Sequence, residues 1–122
     1  MSGKFSLILH AHLPFVRHPE HEKFLEESWF YEAITEVYVP LLQVLQGWQR
    51  DHVPARITLT LTPTLCAMLN DELLRDRYER HLECLIELAE REVRRTRWDP
   101  EFHGLALMYQ QHFHSVRRTY AR

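Results

Sequence analysis

A short apolar run, Phe5-Ser6-Leu7-Ile8-Leu9, ends abruptly in His10-Ala11-His12-Leu13-Pro14, a pattern that predicts a buried strand over about residues 5–12. A polar loop through Pro14, Pro19 and Glu22 follows. From about Glu27 to Gln46, apolar residues at Phe30, Ala33, Ile34, Val37, Tyr38, Leu41, Leu42 and Leu45 recur at three and four, the helical period. Pro40 lies inside this segment, where it removes a backbone donor and crowds the preceding turn, so a kink or a helix restart is expected there. Gly47 and the polar stretch Gln49-Arg50-Asp51-His52 are expected to end the helix. Arg56-Ile57-Thr58-Leu59-Thr60-Leu61-Thr62 alternates strictly and is rich in β-branched residues, which predicts the second strand.

Thr62-Pro63 reads as a helix N-cap followed by proline at the first helical position, and Leu65, Met68 and Leu69 supply a short helix after it. From Asp71 to about Arg97 the stripe Leu74, Tyr78, Leu82, Leu85, Ile86, Ala89 and Val93 predicts a long helix, with its Arg and Glu residues on a solvated face. Asp99-Pro100 repeats the cap signal, and Leu105, Met108, Tyr109, His112 and Val116 carry a last helix toward the C-terminus. The order strand, helix, strand, helix, helix belongs to the α/β class, with a parallel sheet under helices. Two parallel strands leave edges and helix faces without partners, so the expectation is a piece of a larger protein.

Composition changes this picture little. With 45% hydrophobic and 26% charged residues the chain is ordinary globular protein, and a net charge of −2 with Arg and Glu interleaved argues against a nucleic-acid partner. Phe5 to Leu9 is too short to cross a bilayer and lacks the features of a signal peptide, so no membrane partner and a cytoplasmic location are the expectations. Cys66 and Cys84 show no metal or redox spacing and are expected to be reduced, buried thiols.

The candidate chemistry sits at the end of the first strand. His10 and His12 are two residues apart in extended chain, so both leave the same face and point into one pocket. Parallel sheets and barrels keep their sites at that rim. The carboxylates Glu20, Glu22, Glu26 and Glu27 read as solvated loop groups, and His18 and His21 as exposed loop histidines that could border an entrance. His81 falls among helix charges, while His112 and His114 point to different faces of one helix and make a poor chelating pair. Trp48 and Trp98, near helix ends, are expected to cover core edges.

The stretch from His10 through Glu20, the segment Phe24 to Glu36, the run Ile57 to Leu65 and the helix from Asp71 to Thr96 together resemble the N-terminal part of glycoside hydrolase family 57. Within that family they are most similar to the 1,4-α-glucan branching enzymes. The resemblance covers essentially the whole chain. It implies a distorted (β/α)7 barrel of which residues 1–122 supply the first two strands and flanking helices, a TIM-like arrangement apparently truncated here.

It also implies a glycosyltransferase reaction of carbohydrate metabolism. A Glu nucleophile forms a glycosyl-enzyme intermediate, an Asp serves as acid and base, and the glucan passes to a 6-hydroxyl, making α-1,6 branches in a glycogen-like substrate. Such a pair stands about 5 to 5.5 Å apart, and in the family it lies on later strands, so no catalytic residue is expected in this chain. What carries over is sugar binding by His10 and His12, whose imidazoles donate hydrogen bonds and offer a flat face to a ring. Trp29 joins them as a stacking platform, or else it is a core-facing start to the helix. The implied partners are an α-1,4-glucan such as amylose or glycogen and the remainder of the barrel. No cofactor and no metal are implied. The isolated chain is expected to be inactive and poorly folded.

Two other classes compete. An H-x-H at the end of a first barrel strand also supplies two zinc ligands in metal-dependent hydrolases, with further ligands from later strands. A noncatalytic glucan-binding piece is the third reading, and the incomplete sheet argues against it.

Overall fold

The computed structural model describes residues 3–121. Strand β1 spans Ile8–Ala11, and helix α1 (Glu27–Ala33) runs through a π-helical segment (Ile34–Tyr38) into α2 (Val39–Arg50). Strand β2 (Thr58–Leu61), α3 (Pro63–Leu69), α4 (Glu72–Arg95) and α5 (Pro100–Tyr120) complete the order. The strands form a parallel pair in the register Ile8↔Thr58, Leu9↔Leu59, His10↔Thr60 and Ala11↔Leu61. The predicted alternation is therefore present, with both strands about half as long as their sequence signals.

Two helix starts, at Thr62 and Asp99, follow the predicted cap chemistry, and a third, at Asp71, is capped in the same way. Thr62 Oγ1 accepts from the Leu65 amide, Asp71 Oδ1 from the Leu74 amide and Asp99 Oδ1 from the Phe102 amide. Each satisfies one of the donors that a helix start leaves free. The core lies between α1, the π segment, α3, α4 and α5. Phe30, Leu65, Met68, Leu74, Tyr78 and Val116 are buried there, and Ala11 and Leu13 pack against it from the sheet side. The α4 stripe Leu74, Tyr78, Leu82, Ile86 and Ala89 is buried as its periodicity predicts.

At Pro40 the expected restart takes the form of a π segment, after which α2 begins at Val39 with the proline as its second residue. The Val39 amide donates to the Ile34 carbonyl, five residues back, so the turn before the proline is widened into a π turn. A proline ring collides with the carbonyl four residues earlier, here that of Glu36, and a wider turn makes room for it. Gly47 itself stays inside the helix, which ends within the predicted polar stretch. Helix α2 continues to Arg50 and closes with the His52 amide on the Gln49 carbonyl and the Val53 amide on the Trp48 carbonyl. This pair of bonds is a Schellman closure, and it puts His52 at φ 53°, where glycine is the usual occupant.

Several surface expectations fail. Cys84 is exposed and Cys66 only half-buried, because neither lies on a buried stripe; both are free. Trp98 is 81% exposed, with the Arg97 guanidinium 4.6 Å over its ring, so it covers no core. No helix among the described residues is long and apolar enough to cross a membrane.

Candidate functional site

In a parallel pair both C-terminal strand ends lie on the same side, and here that rim carries the histidines. His10 is the third residue of β1 and His12 follows its end. Their rings lie 6.1 Å apart at 12°, nearly parallel, as same-face placement predicts. His10 Nδ1 and Thr60 Oγ1 are 2.6 Å apart, a hydrogen bond between residues paired in the sheet register. The alternating threonines of β2 thus include one that fixes the His10 ring. With Nδ1 held, Nε2 is the nitrogen that can address a ligand. Both histidines are exposed in the described residues, as is Ile8 below them. Ile8, His10 and His12 stand two residues apart along the chain and so share one face of the strand.

Trp29, the third residue of α1, is 51% exposed. It is therefore not a core residue, and among the described residues it makes no aromatic contact with either histidine. A cleft of 750 Å³ opens elsewhere, between the β1–α1 loop, α1 and α4. It is lined by groups that include Phe24, Tyr31, Arg80, His81 and Cys84, and it does not contain the histidine pair. The His81 ring lies 5.0 Å from that of Tyr31, tilted by 31°, and burial pulls its imidazole below the usual histidine value. The Tyr31 phenol is pushed far up by burial and by its hydrogen bond to Glu27.

Glu27 is the functional-looking residue that the sequence hides. It is buried rather than solvated, 2% exposed, and ion-paired with Arg77. Tyr31 Oη donates to its other oxygen at 2.8 Å. Arg77 is correspondingly not part of a solvated helix face; its side chain is 10% exposed. The two residues are fifty positions apart, so neither periodicity nor local composition signals the pair. The loop histidines also differ from expectation in part: His18 is half-buried, its ring 3.7 Å from that of Phe24, whereas His21 is exposed. His112 and His114 approach Glu36 and Glu90 respectively, on different elements, so they do diverge. No group of three or more His, Cys, Asp or Glu among the described residues is placed to hold a metal.

Comparison with known proteins places this geometry. The model of glycosyl hydrolase family 57 matches residues 6–117. The chain belongs to this family. The alpha-amylase AmyC of Thermotoga maritima is similar in structure over 99% of the chain, with TM-score 0.89 and 46% identity. A family 57 branching enzyme of Thermococcus kodakaraensis superposes over 95% of it, with TM-score 0.85 and 27% identity. In sequence, a 1,4-alpha-glucan branching enzyme of Thermococcus kodakarensis is 31% identical over 110 residues, 89% of the chain. A probable branching enzyme of Mycobacterium tuberculosis is 40% identical over 70 residues, 57% of the chain. The chain spans 16% and 13% of those two sequences, and 23% and 20% of the two solved chains. These family 57 structures carry a (β/α)7 barrel, and β1, β2 and their helices correspond to its N-terminal portion.

Proposed function

We propose that residues 1–122 form the N-terminal part of a retaining, α-1,4-glucan-active barrel of the branching type, with His10 and His12 lining its sugar pocket and Trp29 beside them. One observation carries the reading: two near-parallel imidazoles at the C-terminal end of β1, one of them fixed by Thr60. Imidazoles held this way have donor and acceptor nitrogens for sugar hydroxyls and a flat face for a sugar ring. The catalytic Glu and Asp belong to later strands, and Glu27 is not a substitute because Arg77 already neutralises it. The substrate is a cytoplasmic amylose- or glycogen-like glucan, and the barrel's remaining strands are the partner of this chain. Family membership displaces the zinc-hydrolase alternative.

The 46% identity to an alpha-amylase favours a second reading, hydrolysis of the same α-1,4 linkage. Both begin with one glycosyl-enzyme intermediate and differ in whether a 6-hydroxyl or water accepts the sugar. The complete gene product is incubated with amylose; α-1,6 linkages are counted by debranching, and new reducing ends are counted before it. Branching yields α-1,6 linkages without a rise in reducing ends. Hydrolysis yields reducing ends and no branches. Neither product from the complete protein, or an unchanged rate in His10→Ala and His12→Ala, contradicts the proposal.

A further inference from the structure

We propose that Asp71, the N-cap of α4, and Arg77, in its second turn, are positioning residues that hold the β1–α1 loop and thereby set the place of His12 at the pocket rim. The proposal rests on the reading of His10 and His12 as sugar-binding groups. The chain between β1 and α1 has no helix or strand of its own from His12 to Glu26. Irregular segments of that length in compact domains are uncommon and usually functional.

Its course is fixed from α3 and α4. Val16 is buried and its amide points at Met68 Sδ, 3.4 Å away. Arg17 Nε donates to Asp71 Oδ2 at 2.6 Å, while the other oxygen of the same carboxylate caps α4. Further along, the Arg77 guanidinium donates to the Glu27 carboxylate and to the backbone carbonyls of His18 and His21. Glu27 in turn accepts from the His18 amide at 3.4 Å. The planar guanidinium spreads its donors over two nitrogens, one to Glu27 and His18 and the other to His21, whereas a lysine ammonium would present all its donors from one point.

The buried stripe of α4 runs through Leu74 and Tyr78. Besides the cap that Asp71 gives α4 and the pair that Arg77 makes with Glu27 at the start of α1, the polar contacts of the two residues go to the loop. Only Leu13, Pro14 and Phe15 separate His12 from the anchored Val16-Arg17 step, so the clasp determines where His12 stands. Displacement of a binding group by about 1 Å can cost a hundredfold in rate.

The test uses the complete gene product with Arg77→Lys and Asp71→Asn, each alone and combined with His12→Ala. Asparagine caps a helix as well as aspartate does, so Asp71→Asn weakens the grip on Arg17 and leaves α4 capped. The readouts are kcat/KM on amylose, maltoheptaose affinity by calorimetry, and hydrogen exchange of the amides of residues 17–26. Expected are a fall in kcat/KM and in affinity of about tenfold for each single variant, with faster loop exchange. In the His12→Ala background the same substitutions change affinity less than about twofold, because the group they position is gone. Equal losses in both backgrounds, or single variants as active as the parent, overturn the clasp while leaving the pocket reading intact. An unchanged affinity in His12→Ala overturns the pocket reading itself and the clasp with it.

Discussion

The helical half of the molecule and its sheet are built to different standards. Around α4, side chains from every helical segment and from Val16 of the loop after β1 meet in one core, where Leu65, Met68, Leu74 and Tyr78 are fully buried. The β1–β2 pair has two strands, two open edges and exposed apolar residues, Ile8 at 63%, Leu59 at 45% and Leu61 at 56%. The candidate chemistry is on the poorly covered half. The helices can pack on each other at once, whereas a parallel sheet needs cover on both faces. On the function proposed above, the site needs further cover over its sheet, and the helices that position it do not.

The contrast breaks most severely at the buried ion pair. Arg77→Ala strands the Glu27 charge and the two loop carbonyls, and removing one partner of such a pair costs about 3–5 kcal/mol. A urea midpoint that stays at the parent value would show that the pair contributes nothing to holding the loop.

One substitution made in both halves sharpens the comparison. Leu74→Ala, at 0% exposure, should destabilise by about 2–5 kcal/mol. Leu59→Ala in the 122-residue chain should fall within about 0.5 kcal/mol. In the complete protein, where neighbouring strands and helices cover the sheet, the Leu59 cost should rise toward that of Leu74. Equal costs at Leu59 in the short and complete chains would mean that nothing covers the sheet.

A smaller effect separates the halves by pH. Burial holds His81 below its ordinary value of 6.5, so the unfolded chain takes up a proton more readily than the fold does. The contribution is fully present above pH 6.5 and is lost as pH falls from there through the lowered folded value. Replacing His81 by Phe should flatten that part of the stability profile, read as the urea midpoint between pH 7 and 5. At the alkaline end Tyr78, whose phenol burial pushes up to about 12, stabilises below pH 10 and loses that contribution as pH climbs toward 12.

The smallest change is a gain. His52 closes α2 with a left-handed backbone at φ 53°, and His52→Gly should raise stability by about 0.5–1 kcal/mol, measurable as a higher Tm.

The same division runs through what was legible from residues. Capped, periodic helices announce themselves locally: Thr62 and Asp99 act as the caps their sequence contexts predict, and the α4 stripe starts at Asp71 as its period indicates. The histidine pair was legible too, because a two-residue spacing on a strand fixes a shared face whatever surrounds it. Glu27 was not, since its burial depends on an arginine fifty residues on, and a carboxylate in a polar stretch looks solvated until that partner is placed. The π turn escaped for a related reason: Pro40 signals a disturbance but not the form in which the helix absorbs it. Cys84 and Trp98 were misjudged because residue type outweighed position, and neither lies on a buried stripe.

The most direct test of the central claim is a structure of the complete gene product with a bound malto-oligosaccharide. The expected result places His10 Nε2 within about 3 Å of a sugar hydroxyl, with His10 Nδ1 still on Thr60 and the His12 ring beside the same sugar. A glucan bound elsewhere, with both histidines enclosed by protein side chains, would contradict the account.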